Sequence, residues 1–223
     1  MVLAVLVLTQ VFENHIYAVS SVFLGFIVFA IPIVIKEEKE SLKKYWHAVF
    51  TVIGIAIVVA ITLFNPMSGS ETSVDLTHLN PGLIAYVFVA AMIAISAMVL
   101  PGISGSTLLL IFGLYIPIIS AVKEILHLNF EYLPIVIVFG LGVIAGALLI
   151  IKLIKMALKK FRGQTIYLII GLMIGSLFAI VMGPTTLEVP REPMNLQTFS
   201  IIFFFVGGAI IFGLEKLKDV LDK

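Results

Sequence analysis

Six stretches of this chain run for close to 20 residues without a charged side chain: Ile16–Ile35, Ala48–Phe64, Leu83–Leu100, Tyr132–Ile151, Thr165–Gly183 and Thr198–Leu214. A helix of about 20 mostly apolar residues crosses the roughly 30 Å hydrocarbon layer of a membrane. Membrane strands would instead alternate in hydrophobicity over about ten residues, and these runs are continuously apolar. A seventh run, Thr107–Val122, is shorter and broken by Gly113 and Pro117. Composition agrees: 61% of residues are hydrophobic, 12% are charged, and the mean hydropathy is +1.20. A soluble domain carries about 25% charged residues, so a soluble enzyme and a nucleic-acid binder are excluded. The net charge of +1 carries no polyanion signal. The chain contains no cysteine, which removes disulfides, thiolate metal sites and cysteine nucleophiles. The predicted fold class is an all-α polytopic integral membrane protein.

Orientation follows from lysine and arginine, which favour cytoplasmic loops. Lys36, Lys39, Lys43 and Lys44 follow the first run. Lys152, Lys155, Lys159, Lys160 and Arg162 follow Ile151, and Lys216, Lys218 and Lys223 close the chain. These clusters hold 12 of the 14 basic residues. Placing them inside sends Ile16–Ile35, Tyr132–Ile151 and Thr198–Leu214 inward. Ala48–Phe64 and Thr165–Gly183 then run outward. The stretch from Leu83 to Val122 begins and ends outside, as a hairpin with its tip at Pro101–Ser106. The expected location is the cytoplasmic membrane, with the C-terminus in the cytoplasm.

The segment Val22-Phe23-Leu24-Gly25-Phe26-Ile27 resembles Leu168-Ile169-Ile170-Gly171-Leu172-Met173. Each opens a span followed by a loop and one more span, and the two copies run in opposite directions. That is the pattern of an inverted-topology repeat, common in secondary transporters. The second copy has a hairpin before its paired span and the first does not. Met1–Val11 is apolar, too short to span, and lacks the basic start of a signal peptide. The repeat therefore predicts a truncated first copy. The expected organisation is 1–64 as the remainder of the first repeat, 65–81 as an extracytoplasmic loop, 82–214 as the second repeat with its re-entrant hairpin 83–122, and 215–223 as a cytoplasmic tail.

The chemistry concentrates in Pro101, Gly102, Ile103, Ser104, Gly105, Ser106 and Thr107. Proline removes a backbone donor, and glycine makes non-helical backbone cheap. Irregular backbone survives at membrane depth only when buried in protein or lining a wet cavity. A helix restarting near Ser106 would offer N–H groups and a positive dipole end to an anion, and the three hydroxyl residues add donors. A phosphate-sized anion cradle is the functional reading; a serine-capped turn between helices is the bland one. Tyr115, eight residues after Thr107, faces either the cavity or the bundle.

The stretch Leu100-Pro-Gly-Ile-Ser-Gly-Ser-Thr-Leu-Leu-Leu-Ile-Phe-Gly-Leu-Tyr115 resembles the second signature of the polyprenyl-phosphate transporter family, first catalogued as domain of unknown function 368. Gly171-Leu-Met-Ile-Gly-Ser176 with the Lys-rich loop before it, and Val22–Lys36, resemble other parts of that family. The resemblance implies a transporter or flippase that returns undecaprenyl phosphate, or a related polyprenyl phosphate, across the cytoplasmic membrane for reuse. It places the head group at Pro101–Thr107 and Tyr115, and leaves coupling to H⁺ or Na⁺ and homo-oligomerisation open. Family members carry two such signatures, whereas this chain has one.

No catalytic residue, metal ligand or cofactor is expected. A hydroxyl without a base is a poor nucleophile, which counts against a membrane-embedded enzyme acting on lipid phosphates. An inactive half-protein that needs the missing segment is a third reading. His47, beside Tyr45 and Trp46, reads as an interfacial anchor. His15 reads as a loop residue, and His78 and His127 are isolated. Lys152 is expected to snorkel, and Lys36 could approach a head group. Gly142-x-x-x-Gly146 and Gly171-x-x-x-Gly175 read as helix-packing faces.

Overall fold

The computed structural model describes residues 15–63, 80–99, 105–126, 129–186 and 191–221. Every regular element among them is helical. Helix α1 spans Ile16–Glu37, α2 Ala48–Leu63, α3 Pro81–Met98, α4 Gly105–Ile111, α5 Tyr115–Leu126, α6 Leu133–Lys160, α7 Arg162–Met182 and α8 Ile201–Leu221. Single 3-10 turns occupy Tyr45–His47 and Gly183–Thr186. The apolar runs thus become helices because hydrocarbon offers no partner to backbone N–H and C=O groups, and a helix satisfies them internally.

Among the described residues, five helices are long and apolar enough to cross a membrane: α1, α2 with its preceding turn, α3, α6, and α7 with its following turn. This is a multi-pass membrane protein. Expected as a sixth span, α8 is 21 residues long, but Glu215, Lys216 and Lys218 occupy its last turns. The helix also continues to Leu221, through the segment expected to begin a tail.

The chain packs as two compact units. One combines α1 and α2 with most of α7 and with α8; the other holds α3 to α6. In the first unit, α1 and α8 run side by side in the same direction. Near their starts, Ser21 Oγ accepts the Ser200 N–H at 3.0 Å. Further along, Gly25 faces Phe204 and Gly207, and Phe29 packs on Gly208 and on the Phe212 ring, 5.6 Å away. At their ends Lys218 Nζ lies 2.9 Å from Glu37 Oε1.

Helices α2 and α7 are also parallel. Thr51 Oγ1 donates to the Tyr167 carbonyl at 2.9 Å, Gly54 faces Leu168 and Gly171, and Gly175 faces Ile55 and Val58. The two pairs share one contact pattern. Gly25 meets the Phe204 carbonyl as Gly171 meets the Thr51 carbonyl. Gly207 meets Val22 and Phe26 as Gly54 meets Leu168 and Leu172. One turn further the sizes are exchanged: Phe29 sits on Gly208 in one pair, and Gly175 sits on Ile55 in the other. Small residues let membrane helices approach to backbone contact, and a Cβ at Gly54 would lie 2.6 Å from the Leu168 carbonyl oxygen.

In the second unit, α3 and α6 are parallel and equally close. A Cβ at Gly142 would lie 2.5 Å from the Phe88 carbonyl oxygen, and one at Gly146 would lie 2.5 Å from that of Met92. Ser96 Oγ donates to the Met92 carbonyl at 2.7 Å and reaches the Gly146 carbonyl at 3.3 Å. The packing role expected for the Gly142 and Gly171 pairs is therefore what the helix crossings use.

Candidate functional site

Helix α4 runs antiparallel to α3: Gly105 lies against Ala94 and Met98, while Phe112 lies against Tyr86. The two helices form the arms of a hairpin. The return arm is broken at Gly113, as expected for Thr107–Val122, but not at Pro117. It breaks after seven residues and resumes as α5.

The break has a defined chemistry. The Gly113 N–H donates to the Leu110 carbonyl at 2.9 Å, and the Leu114 N–H donates to the Leu109 carbonyl at 2.8 Å. These two bonds close the helix end as a Schellman motif, with glycine in the left-handed region and an apolar residue after it. Gly113 has φ 64°, and Leu114 is fully buried beside Val87, Ala90, Ile118 and Ile135. The Leu114 carbonyl then accepts from the Ile118 N–H at 3.0 Å, starting α5. Pro117 was expected to interrupt the run. It sits instead in the first turn of α5, where a missing N–H costs nothing. Tyr86 Oη donates to the Phe112 carbonyl at 2.7 Å, with the two rings edge to face at 6.5 Å.

The expected site residues divide three ways. Pro101, Gly102, Ile103 and Ser104 lie outside the described residues. Gly105 is buried, and a Cβ there would lie 3.2 Å from the Ala94 carbonyl oxygen, so it serves the approach of α4 to α3. Ser106 is exposed at the start of α4, and Thr107 follows it in the helix. Tyr115 is half-buried on the far side of the break. With only two turns, α4 carries less of the macrodipole than a full-length span would. Anion recognition at its start would therefore draw on local hydroxyl and N–H groups.

Sequence reasoning missed Tyr86. Its signal was present: a phenol inside an uncharged, mostly apolar run needs a partner for its O–H. A surface groove on the α3–α6 pair holds about 520 Å³ and is lined by apolar residues including Pro81, Ile84, Phe88, Val89, Val138 and Leu141. It offers nothing to a phosphate.

At one end of the first unit, Tyr167 Oη donates to the Leu42 carbonyl at 2.8 Å, joining the Lys-rich loop after α1 to the first turns of α7. The Glu37–Lys218 pair ties the end of α8 to the end of α1. Lys36 is exposed in the last turn of α1, and Lys152 is exposed on α6. Tyr45 and Trp46 are 86% and 89% exposed, as interfacial anchors require. His47 is half-buried between the rings of Phe50 and Tyr167, and among the described residues its Nδ1 has no hydrogen-bond partner. His15 is exposed just before α1, while His78 and His127 lie outside the described residues. No group of three metal-ligating side chains forms among the described residues.

The sequence profile of a family described as undecaprenyl phosphate translocase-like matches residues 1–198. A polyprenyl-phosphate transporter of Staphylococcus aureus is 35% identical over 197 residues, covering 86% of this chain and 66% of that protein. A polyprenyl-phosphate transporter of Vibrio cholerae serotype O1 is 28% identical over 229 residues, covering 92% of this chain and 68% of that protein. The chain thus spans about two thirds of the length of these relatives. Both bear the names of transporters, not of enzymes. No solved structure is significantly similar.

Proposed function

We propose that this chain, which belongs to the undecaprenyl phosphate translocase-like family, moves a polyprenyl phosphate across the cytoplasmic membrane, with the head group held where the hairpin turns from α3 into α4. The observation that carries the reading is the hairpin. It is an apolar arm returning through a helix of only seven residues, opening on Ser106 and Thr107 and ending in a capped break. Segments of this kind supply backbone and hydroxyl donors to anions inside membranes. The residues assigned to the head group are Pro101, Gly102, Ile103, Ser104, Ser106 and Thr107. Gly105 holds the arm in place, and Tyr115 borders the break. The isoprenoid chain stays in the bilayer while the charged group, costly in hydrocarbon, crosses through the polar seam.

The repeat belongs to the same proposal. Helices α1 and α2 correspond to α7 and α8 in inverted topology, which the shared glycine contacts of the α1–α8 and α2–α7 pairs support. The Leu42–Tyr167 and Glu37–Lys218 contacts draw basic segments to one end of that unit. By the lysine and arginine rule that end, with the C-terminus, is cytoplasmic.

Replacing Ser104 and Ser106 together by alanine tests the site. Two hydroxyl donors to a charged phosphate are lost, and each is worth about 1.5–3 kcal/mol. Binding of a short-chain polyprenyl phosphate to the intact purified protein is expected to weaken by about a hundredfold or more, with membrane insertion unchanged. Unaltered affinity would remove the head group from this segment.

A further inference from the structure

Helix α3 grips α4 at both ends. Ala94 and Met98 contact Gly105 at one end, and Tyr86 contacts Phe112 at the other. The eight steps from Tyr86 to Ala94 cover about 12 Å of helix, and the seven from Gly105 to Phe112 about 10.5 Å, so the two grips are matched in length. They differ in kind. The Gly105 grip is close packing, whereas the Tyr86 grip includes a directed bond. The Schellman bonds account for the N–H groups of Gly113 and Leu114 and for the carbonyls of Leu109 and Leu110. The Phe112 carbonyl lies beyond that closure. Tyr86 Oη meets it at 2.7 Å, and the edge-to-face rings fix the direction of approach.

We propose that Tyr86 is the positioning residue of the motif helix: by donating to the Phe112 carbonyl, its hydroxyl fixes one end of α4 against α3 and so sets where Ser106, at the other end, stands. Its consequence for substrate binding rests on the head-group reading above. The positioning itself does not.

The chain contains no cysteine, so Ser106→Cys provides a unique thiol for a nitroxide spin label in the intact protein, reconstituted in phosphatidylcholine vesicles. Three proteins are compared: the labelled parent, the parent with Tyr86→Phe, and the parent with Gly142→Ala. Tyr86→Phe keeps the ring and removes the donor. Gly142→Ala strains the α3–α6 crossing without touching Phe112. Tyr86→Phe is expected to mobilise the label and narrow its spectrum, while Gly142→Ala leaves it as in the parent. An unchanged spectrum in Tyr86→Phe, or equal mobilisation by both substitutions, overturns the proposal.

With Ser106 intact, Tyr86→Phe is expected to weaken binding of a short-chain polyprenyl phosphate about tenfold, the scale of one hydrogen bond, and parental affinity overturns the link to binding. If the unsubstituted protein binds no polyprenyl phosphate, the transport reading fails and the spin label alone judges Tyr86. Should Tyr86→Phe not accumulate in membranes, infrared spectra of the unsubstituted protein with an isotope-labelled Phe112 carbonyl decide the matter. A hydrogen-bonded band is expected, and a free-carbonyl band overturns the proposal.

Discussion

The two compact units solve the same problem, helices in hydrocarbon, by different means. In the first unit the helices are long and continuous, and each parallel pair is locked by glycines that bring backbone onto backbone. In the second, α3 and α6 are locked the same way, but the arm between them is broken. There the chain departs from a helix, and particular groups supply what the helix no longer does: Gly113 the left-handed turn, Leu109 and Leu110 the acceptors, Tyr86 a donor, and Leu114 the buried plug. Continuous helices need only the right surface to pack. A broken one needs named chemistry, and that is why a polar function is read in the second unit.

The largest expected effect strikes the first unit. Gly171→Val would drive two methyl groups into the Thr51 backbone. Neither backbone can withdraw without separating the helices, so the cost is expected to reach about 3 kcal/mol or more. Thermal unfolding in detergent reads this as loss of folded protein. Gly140→Ala, with nothing within 4 Å of the added carbon, is the control and should leave the protein folded.

Next comes the exchange of sizes between the two pairs. Gly208→Ala should destabilise, because the added carbon would lie 2.5 Å from the Phe29 ring. Phe29→Ala in the same protein should recover much of that loss. A coupling of about 1–3 kcal/mol in the double-mutant cycle is expected for residues in contact. Additive effects would mean that the shared contact pattern carries no energetic match.

A smaller effect is expected at the break. Gly113→Ala forces a Cβ into a left-handed conformation, at about 1–2 kcal/mol. Because the strain falls beside the motif helix, substrate binding should weaken more than insertion does; stability and binding measured together check this. Equal loss of both would make the break a plain structural turn.

Smallest is Lys218→Ala. Its ion pair with Glu37 is more than half exposed on both sides, and exposed pairs contribute about 0–1 kcal/mol. Urea denaturation should barely change, and binding not at all.

Much of the fold was legible in the chain. The run Ile16–Ile35 became α1 to Glu37, and Thr165–Gly183 became most of α7, because a bilayer leaves a continuous apolar run one conformation that satisfies its backbone. The Gly142 and Gly171 spacings announced close crossings for a similar reason, since a bare stripe on a helix is of use only against another backbone. The return arm was read less well. Gly113 and Pro117 both looked like breakers, but only Gly113 breaks the arm, since a proline in the first turn of a helix breaks nothing. Tyr86 went unread because its partner is a backbone carbonyl 26 residues away, and carbonyls leave no mark in a sequence.

Hydropathy and charge by themselves determined that this is a multi-pass helical membrane protein and where its long helices run. Those properties depend on each stretch and its solvent alone. Which helices pair, in what direction, that Phe29 and Gly208 exchange bulk with Gly175 and Ile55, and that a tyrosine closes the broken arm were decided only in the tertiary structure. Each of these depends on two distant surfaces meeting, and contact at backbone range is specified jointly by both.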